Sequence, residues 1–381
     1  MRRTRYLQSL FAAAVLAAPL LAAADPRYAV TAIAGADGVA RDINNLGQVV
    51  GAAYTGGVYR AYVYGDGGLT DIGTLGGAGS WANAINDRGQ IVGNAEAADG
   101  ASYGFLYSGG AMSAITGGSV MQANGINNGG TIVGSMFVTT PEDSYYHGFT
   151  LSAGGTLTDI GTLSYGDGSR AFAVNSHGDV VGAAANVFNG APNRPEDPFI
   201  YHDGVMTGLG NLGGPWSGAT SINDQGQVVG FLGVNSLPGD PGELYPTTAF
   251  LYANGEMNVI GGVAPPWSSL ANDINNLSQV VGSFRFNPGL DHGFLYENGE
   301  MIDLNTLIDP ASGWTITDAA AINDLQQIAA QACRGGVCQA VRLDLVSAVP
   351  EPPTFALMAA GLALGLARGK GFKRPARRRR G

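Results

Sequence analysis

Short apolar, β-branched runs alternate along this chain with clusters of Gly, Asn and Asp, and no stretch keeps a helical period. Such runs, bounded by turn residues, predict short strands. The clearest run belongs to a nine-residue phrase that occurs seven times, beginning at Ile43, Ile85, Ile126, Val174, Ile222, Ile274 and Ile322. Its fullest form is Ile-Asn-Asp/Asn-x-Gly-Gln-Val-Val-Gly, and successive starts lie 42, 41, 48, 48, 52 and 48 residues apart. A period of that size marks stacked or radial repeats rather than one irregular domain.

Within the phrase, Asn is positioned to accept hydrogen bonds from the backbone ahead of it, and Gly supplies a left-handed residue that closes a type I hairpin turn. Asn44, Asn86, Asn127, Asn175, Asn223, Asn275 and Asn323 all take the second place, so a structural role is expected of them. Ser278 and Gln326 replace the turn Gly in the sixth and seventh copies, which predicts strained or rebuilt turns there. An aromatic strand follows each phrase but the last, as in Gly104-Phe-Leu-Tyr107 and Ala249-Phe-Leu-Tyr252. A further strand carries Asp71-Ile-Gly-Thr-Leu75 or Asp159-Ile-Gly-Thr-Leu163. Four strands per repeat predict an all-β fold, a seven-bladed β-propeller of four-stranded antiparallel blades over residues 28–346. The last copy lacks a fourth strand, while residues 28–33 form a spare strand ahead of the first. Pairing residues 28–33 beside residues 340–346 would close the ring and remove an open sheet edge.

Gly makes up 60 of 381 residues, well above the roughly 7% average, but its fixed repeat positions mark turns and not disorder. Between residues 25 and 348 there are nine Arg, no Lys and 29 acids, so 9 − 29 = −20. An acidic body of this kind repels phosphate backbones, which argues against nucleic acid as a partner.

The termini carry addresses. Arg2, Arg3 and Arg5, the apolar stretch Leu7 to Leu21 and the small residues before Ala24 have the make-up of a signal peptide over 1–24, cut before Asp25 by signal peptidase. At the other end, Val349, Pro350, Glu351 and Pro352 precede an apolar segment, 354–367, and a basic tail, 368–381, that includes Arg377, Arg378, Arg379 and Arg380. This order of parts over 349–381 resembles the PEP-CTERM sorting signal of Gram-negative bacteria, which an exosortase processes. The resemblance implies a C-terminal transmembrane sorting helix, a transient inner-membrane intermediate, and then an outer-surface or extracellular location. The 14 residues of 354–367 fall short of the roughly 20 of a usual span, a deficit that snorkelling Lys and Arg can accommodate. The positive tail is expected to stay cytoplasmic. The repeats resemble the HAF extracellular repeat family over approximately 38–346, through His147-Gly-Phe149, Thr248-Ala-Phe250, His292-Gly-Phe294 and the coupled phrases. That family implies export and repetition and brings no catalytic residues.

Chemistry is sparse. Cys333 and Cys338 flank a four-residue loop, a disulfide candidate in an exported chain. His147 and His292 hold equivalent repeat positions and are expected to make strand-end hydrogen bonds, while His177 and His202 lie near turns. No nucleophile elbow, metalloprotease motif, phosphate loop or dinucleotide fingerprint occurs, and no catalytic, cofactor-binding or metal-binding residues are assigned. Trp81, Trp216, Trp267 and Trp314 lie between the last strand of one repeat and the Ile-Asn strand of the next, either as a glycan-stacking rim or as filling between blades. The expected function is a non-enzymatic, surface-sorted module that binds extracellular matrix, exopolysaccharide or envelope components. The alternatives are a secreted propeller enzyme acting on glycans, marked by an inward carboxylate pair, and a passive structural or adhesion module.

Overall fold

The computed structural model describes residues 27–346, apart from 67, 116–119, 140–143, 165, 186–195, 235–246, 262–267 and 288–289. The chain is an all-β propeller, and strands within each repeat pair antiparallel with their sequence neighbours. The first repeat shows the pattern in Val39–Ile43, Val49–Thr55, Val58–Gly65 and Gly68–Gly73, ordered from the axis outward. The last sheet orders Tyr28–Ala36, Val337–Leu345, Ile328–Arg334 and Thr315–Ile322, with Tyr28 opposite Leu345 and Ala32 opposite Val341. The spare N-terminal strand therefore completes the last repeat.

The expectation of seven separate four-stranded blades needs correction. Five sheets are separate four-stranded units, whereas the fourth and fifth repeats share one eight-stranded sheet. The join is a single parallel pair, Glu196 with Trp216. There the start of the innermost strand of the fifth repeat, Gly213–Ile222, runs along the beginning of Glu196–His202, whereas the equally long Gly76–Ile85 of the second repeat makes no such join. The expected C-terminal helix, with the signal-peptide and sorting-motif residues, lies outside the described residues. Among those described, helix is confined to two 3-10 turns, Leu304–Thr306 and Pro310–Ser312, and no helix is long and apolar enough to cross a membrane.

One packing device recurs. Ala40, Ala82, Ala123, Ala171, Ala219, Ala271 and Ala319 sit in the innermost strands, each just before a shift of register. In six repeats the partner is the last Gly of the phrase, and that Gly in turn faces a fully buried ring: Tyr62, Phe105, Phe149, Phe199, Phe250 or Phe294. A Cβ on Gly51, Gly93, Gly134, Gly182, Gly230 or Gly282 would lie 1.9–2.0 Å from a carbonyl oxygen of the innermost strand. The seventh repeat has Ala330 there, facing the smaller Val341.

Ser278 and Gln326 keep the left-handed turn, at φ 61° and 62°, so these two turns are strained and not rebuilt. Left-handed backbone costs a residue with a Cβ roughly 1–2 kcal/mol. Ser278 has only an exposed bond from Oγ to Gln227 Oε1, 2.7 Å, to offset it. Ser278→Gly is therefore expected to stabilise the fold by roughly 0.5–1 kcal/mol. Urea unfolding would measure this, and a lower midpoint for the variant would contradict it.

Candidate binding site at the channel mouth

The seven phrase asparagines surround the propeller axis. Each Nδ2 donates to the backbone oxygen of the next: Asn44 to Asn86, then Asn127, Asn175, Asn223, Asn275, Asn323, and back to Asn44, at 2.8–3.2 Å. The same side chain holds its own turn. Asn223 Oδ1, for example, accepts from Gln225 N at 3.1 Å and Gln227 N at 3.0 Å. An amide offers an acceptor to the turn from its oxygen and a donor to the neighbour from its nitrogen, which a carboxylate cannot do. The first role is legible in the sequence and the second is not. The available signal was that Asp, equally good in such turns, never takes this place.

The residues after these asparagines form the rim of the face carrying the turns. Asn45 N donates to Asp87, Asp87 N to Asn128, Ser176 N to Asp224, Asp224 N to Asn276, Asn276 N to Asp324 and Asp324 N to Asn45, each to Oδ1 at 2.8–2.9 Å. Asn128 Nδ2 also reaches Asp87 Oδ2 at 2.8 Å. Burial works against the charge of Asp224, but bonds from Ser176 and Asn276 hold its carboxyl below the usual range. The rim acids thus serve neighbouring amides. Among the described residues, no group of three or more His, Cys, Asp or Glu is placed to hold a metal ion.

Two cavities follow one another along the axis. One, of about 210 Å³, lies at the rim. The other, of about 200 Å³, lies further in and is lined by Arg41, Asp42, Asn83, Asn124, Thr220 and Asp273 among others. Asp42 and Asp273 are the inward carboxylates sought in the sequence. Their oxygens bind the structure: Asp42 Oδ1 accepts from Ile43 N at 2.8 Å and Oδ2 from Ile85 N at 2.7 Å. Asp273 accepts from Ser221 Oγ at 2.6 Å and Ile322 N at 2.8 Å. Each ties its repeat to the next. Removal from bulk water and the Asp273 charge push the Asp42 carboxyl up to about 7, and burial raises Asp273 as well.

The sign of this linkage is definite. The folded protein binds the Asp42 proton more tightly than the unfolded chain, so the stabilisation is full below about pH 4 and is lost as pH rises to about 7. Over that window the wild type should lose stability faster than Asp42→Asn, by up to about 1 kcal/mol per pH unit, less for water in the lumen. Melting temperatures of the two proteins at several pH values test this; parallel profiles would refute it.

The opposite face is aromatic. Tyr54 and Tyr59 are paired across a hairpin end, with ring centroids 5.0 Å apart, and Tyr59 stacks on Trp81 at 4.2 Å. Tyr54 is 48% exposed. Arg41 brings its guanidinium carbon within 5.8 Å of the Trp81 ring and also lines the inner cavity. The aromatic row therefore leads from the outer surface to the channel. The other tryptophans diverge. Trp216 is 49% exposed, whereas Trp314 packs on the core of the last sheet under Arg334, 4.3 Å from its ring. Trp267 lies outside the described residues. One rim of four equivalent tryptophans is thus not what the described part forms; Trp81 joins a row with Tyr59 and Tyr54, which sequence reading did not select.

The remaining candidates are structural in their contacts. His147 Nδ1 bonds Asp159 at 2.8 Å and His292 Nδ1 bonds Asp303 at 2.7 Å, with Arg60 and Asp71 as the counterpart in the first repeat. His202 pairs with Asp179, which raises the His202 pKa. His177 sits at a turn tip, where its backbone N–H donates to Asn175. Cys333 and Cys338 are opposite each other in register and are joined by a disulfide at the aromatic-face end of the last sheet.

The sequence matches no protein-family model and no curated protein. Among solved structures, the chain is similar to the β-propeller domain of the Trilobed protease from Pyrococcus furiosus, with TM-score 0.51, 9% identity, and coverage of 84% of this chain and 98% of that one. It is also similar to the Pyrococcus horikoshii acylaminoacyl peptidase, with TM-score 0.54, 10% identity, and coverage of 81% of this chain. There the match spans only 51% of the peptidase chain. At such identities the likeness concerns the propeller fold alone.

Proposed function

We propose that this protein is an exported, non-enzymatic binding module for polysaccharide of the extracellular matrix or cell envelope. The eight-stranded sheet counts as two blades in this reading, giving a sevenfold ring. The carrying observation is the row Tyr54, Tyr59 and Trp81, partly exposed and leading to the Arg41 side of a polar channel. Sugar rings present C–H faces that stack on aromatic rings, and hydroxyls that pair with amide, guanidinium and carboxyl groups. Asn83, Asn124 and Thr220 carry such groups in the inner cavity, where their side chains also donate to backbone oxygens of the next repeat. Affinity electrophoresis through gels containing the producing cell's own polysaccharide tests the reading. Trp81→Ala is expected to weaken retardation at least about tenfold, the loss of roughly 1.4 kcal/mol or more of stacking and burial. Equal retardation of wild type and variant, or none by either, would reject it.

Export and sorting belong to the same proposal. The signal peptide is removed before Asp25, and an exosortase processes the chain near Val349, Pro350, Glu351 and Pro352 after transient insertion of 354–367. Intact-mass analysis of the surface protein would locate both ends; retention of Arg377 to Arg380 would make the tail an anchor and defeat the processing step.

A glycan-cleaving enzyme is the second reading, favoured by the inward Asp42 and Asp273 and by the raised pKa of each. Against it, both carboxyls already hold adjoining repeats together. Turnover of a polysaccharide that Asp42→Asn abolishes without unfolding the protein would favour the enzyme.

A further inference from the structure

Both ends of the described chain leave the ring side by side. Val346 N donates to Arg27 O at 2.9 Å. Arg27 reaches Gln326 Oε1 at 3.0 Å, Gln327 Nε2 reaches Asp344 at 2.7 Å, and Arg342 reaches Gly47 O at 2.8 Å. These contacts place the exit on the turn face, beside the seventh repeat.

The tips of the seven turns are Leu46, Arg88, Gly129, His177, Gln225, Leu277 and Leu325. The leucines occupy three consecutive turns around the ring, those of the sixth, seventh and first repeats, which is the arc where the chain exits. They are 68%, 54% and 59% exposed for Leu46, Leu277 and Leu325, and Leu345 and Val346 beside them are exposed too. Leucine has no role at the tip of a polar turn, and the remaining turns do without it.

Charge near the arc is compensated in part, while Asp66 and Glu300 on the outer hairpins of the first and sixth repeats are exposed. Glu297 pairs with Arg27, Asp344 with Arg342, and the Asp324 rim carboxylate serves amides. Beyond Val346, residues 347–353 lead to the apolar segment 354–367. Seven extended residues reach at most about 25 Å, so an inserted segment keeps this face close to the bilayer.

We infer that the arc of Leu46, Leu277 and Leu325 rests on the lipid bilayer that holds residues 354–367, leaving the aromatic face turned outward. The inference depends on the tail being the membrane segment proposed above. It is tested with the full chain in phosphatidylcholine vesicles containing a photoactivatable acyl-chain phosphatidylcholine, with labelled peptides mapped by mass spectrometry. Label is expected on 354–367 and on the peptides of Leu46, Leu277 and Leu325. The combined change Leu46→Ser, Leu277→Ser and Leu325→Ser should cut the turn label by about fivefold or more and leave the tail label unchanged. Label on the tail alone, or on Tyr54 and Trp81 peptides in place of the turns, overturns the docking. Label on neither tail nor turns overturns the tail reading and the docking with it.

Discussion

Asn223→Ala is expected to lower the unfolding free energy by roughly 3–5 kcal/mol, because several buried polar groups lose their partners together. The side chain is buried and makes four bonds: two accepted from Gln225 N and Gln227 N, and two donated, to Gln227 Oε1 and Asn275 O. Alanine leaves the turn without its inner acceptor and breaks one link of a closed ring. Asn223→Asp should cost nearly as much at neutral pH. It keeps the turn acceptor but sets a charged oxygen against the carbonyl of Asn275. Calorimetry or guanidinium unfolding measures both variants. A loss under about 1 kcal/mol for the alanine would mean that lumen water replaces the ring bonds and that the ring is incidental.

Gly230→Ala should be at least as damaging, about 4 kcal/mol or enough to prevent folding, since backbone and a buried ring must both yield. Its Cβ would lie 2.0 Å from Gly218 O and 2.9 Å from Phe250 Cε1. The seventh repeat supplies the internal control. Ala330 faces the smaller Val341 where the other repeats place a ring, so Ala330→Gly should cost only the backbone entropy of a strand glycine, about 1 kcal/mol. Adding Phe250→Val to Gly230→Ala should recover part of the loss and not all of it, because the carbonyl contact remains. Expression yield and denaturation midpoints of the three variants decide the matter. A well-folded Gly230→Ala protein of wild-type stability would show that close approach is not why the phrase ends in Gly.

The fold was largely readable because each repeat restates it. Seven copies of one turn, an aromatic strand after six of them, and a spare strand at the start leave few arrangements for the sheets. The joining of the fourth and fifth repeats was hidden, since it is a single backbone pair, Glu196 with Trp216, that no residue type marks. The site was harder to read for the same reason that the fold was easy. Arg41, Asp42 and Asp273 occupy positions that change from repeat to repeat: the place of Asp42 is taken elsewhere by Ala84, Gly125, Ala173, Ser221 and Ala321. A periodic pattern exposes what is common to the copies, whereas a channel acquires its chemistry from what differs. The tryptophans were picked out by type, yet packing gave them different fates, with Trp314 covered by Arg334 and Trp216 left open.

The pairing of Tyr28 with Leu345 joins the first and last of the described strands. Through most of its production, then, the leading strand has no neighbour and presents a bare hydrogen-bonding edge. Contacts so remote in sequence form late and slowly. A chain halted before Val337 lacks the strand on which Tyr28–Ala36 lies. Truncated products should therefore stay open and prone to clumping, so that quality control can tell a finished molecule from an unfinished one by the state of a single seam.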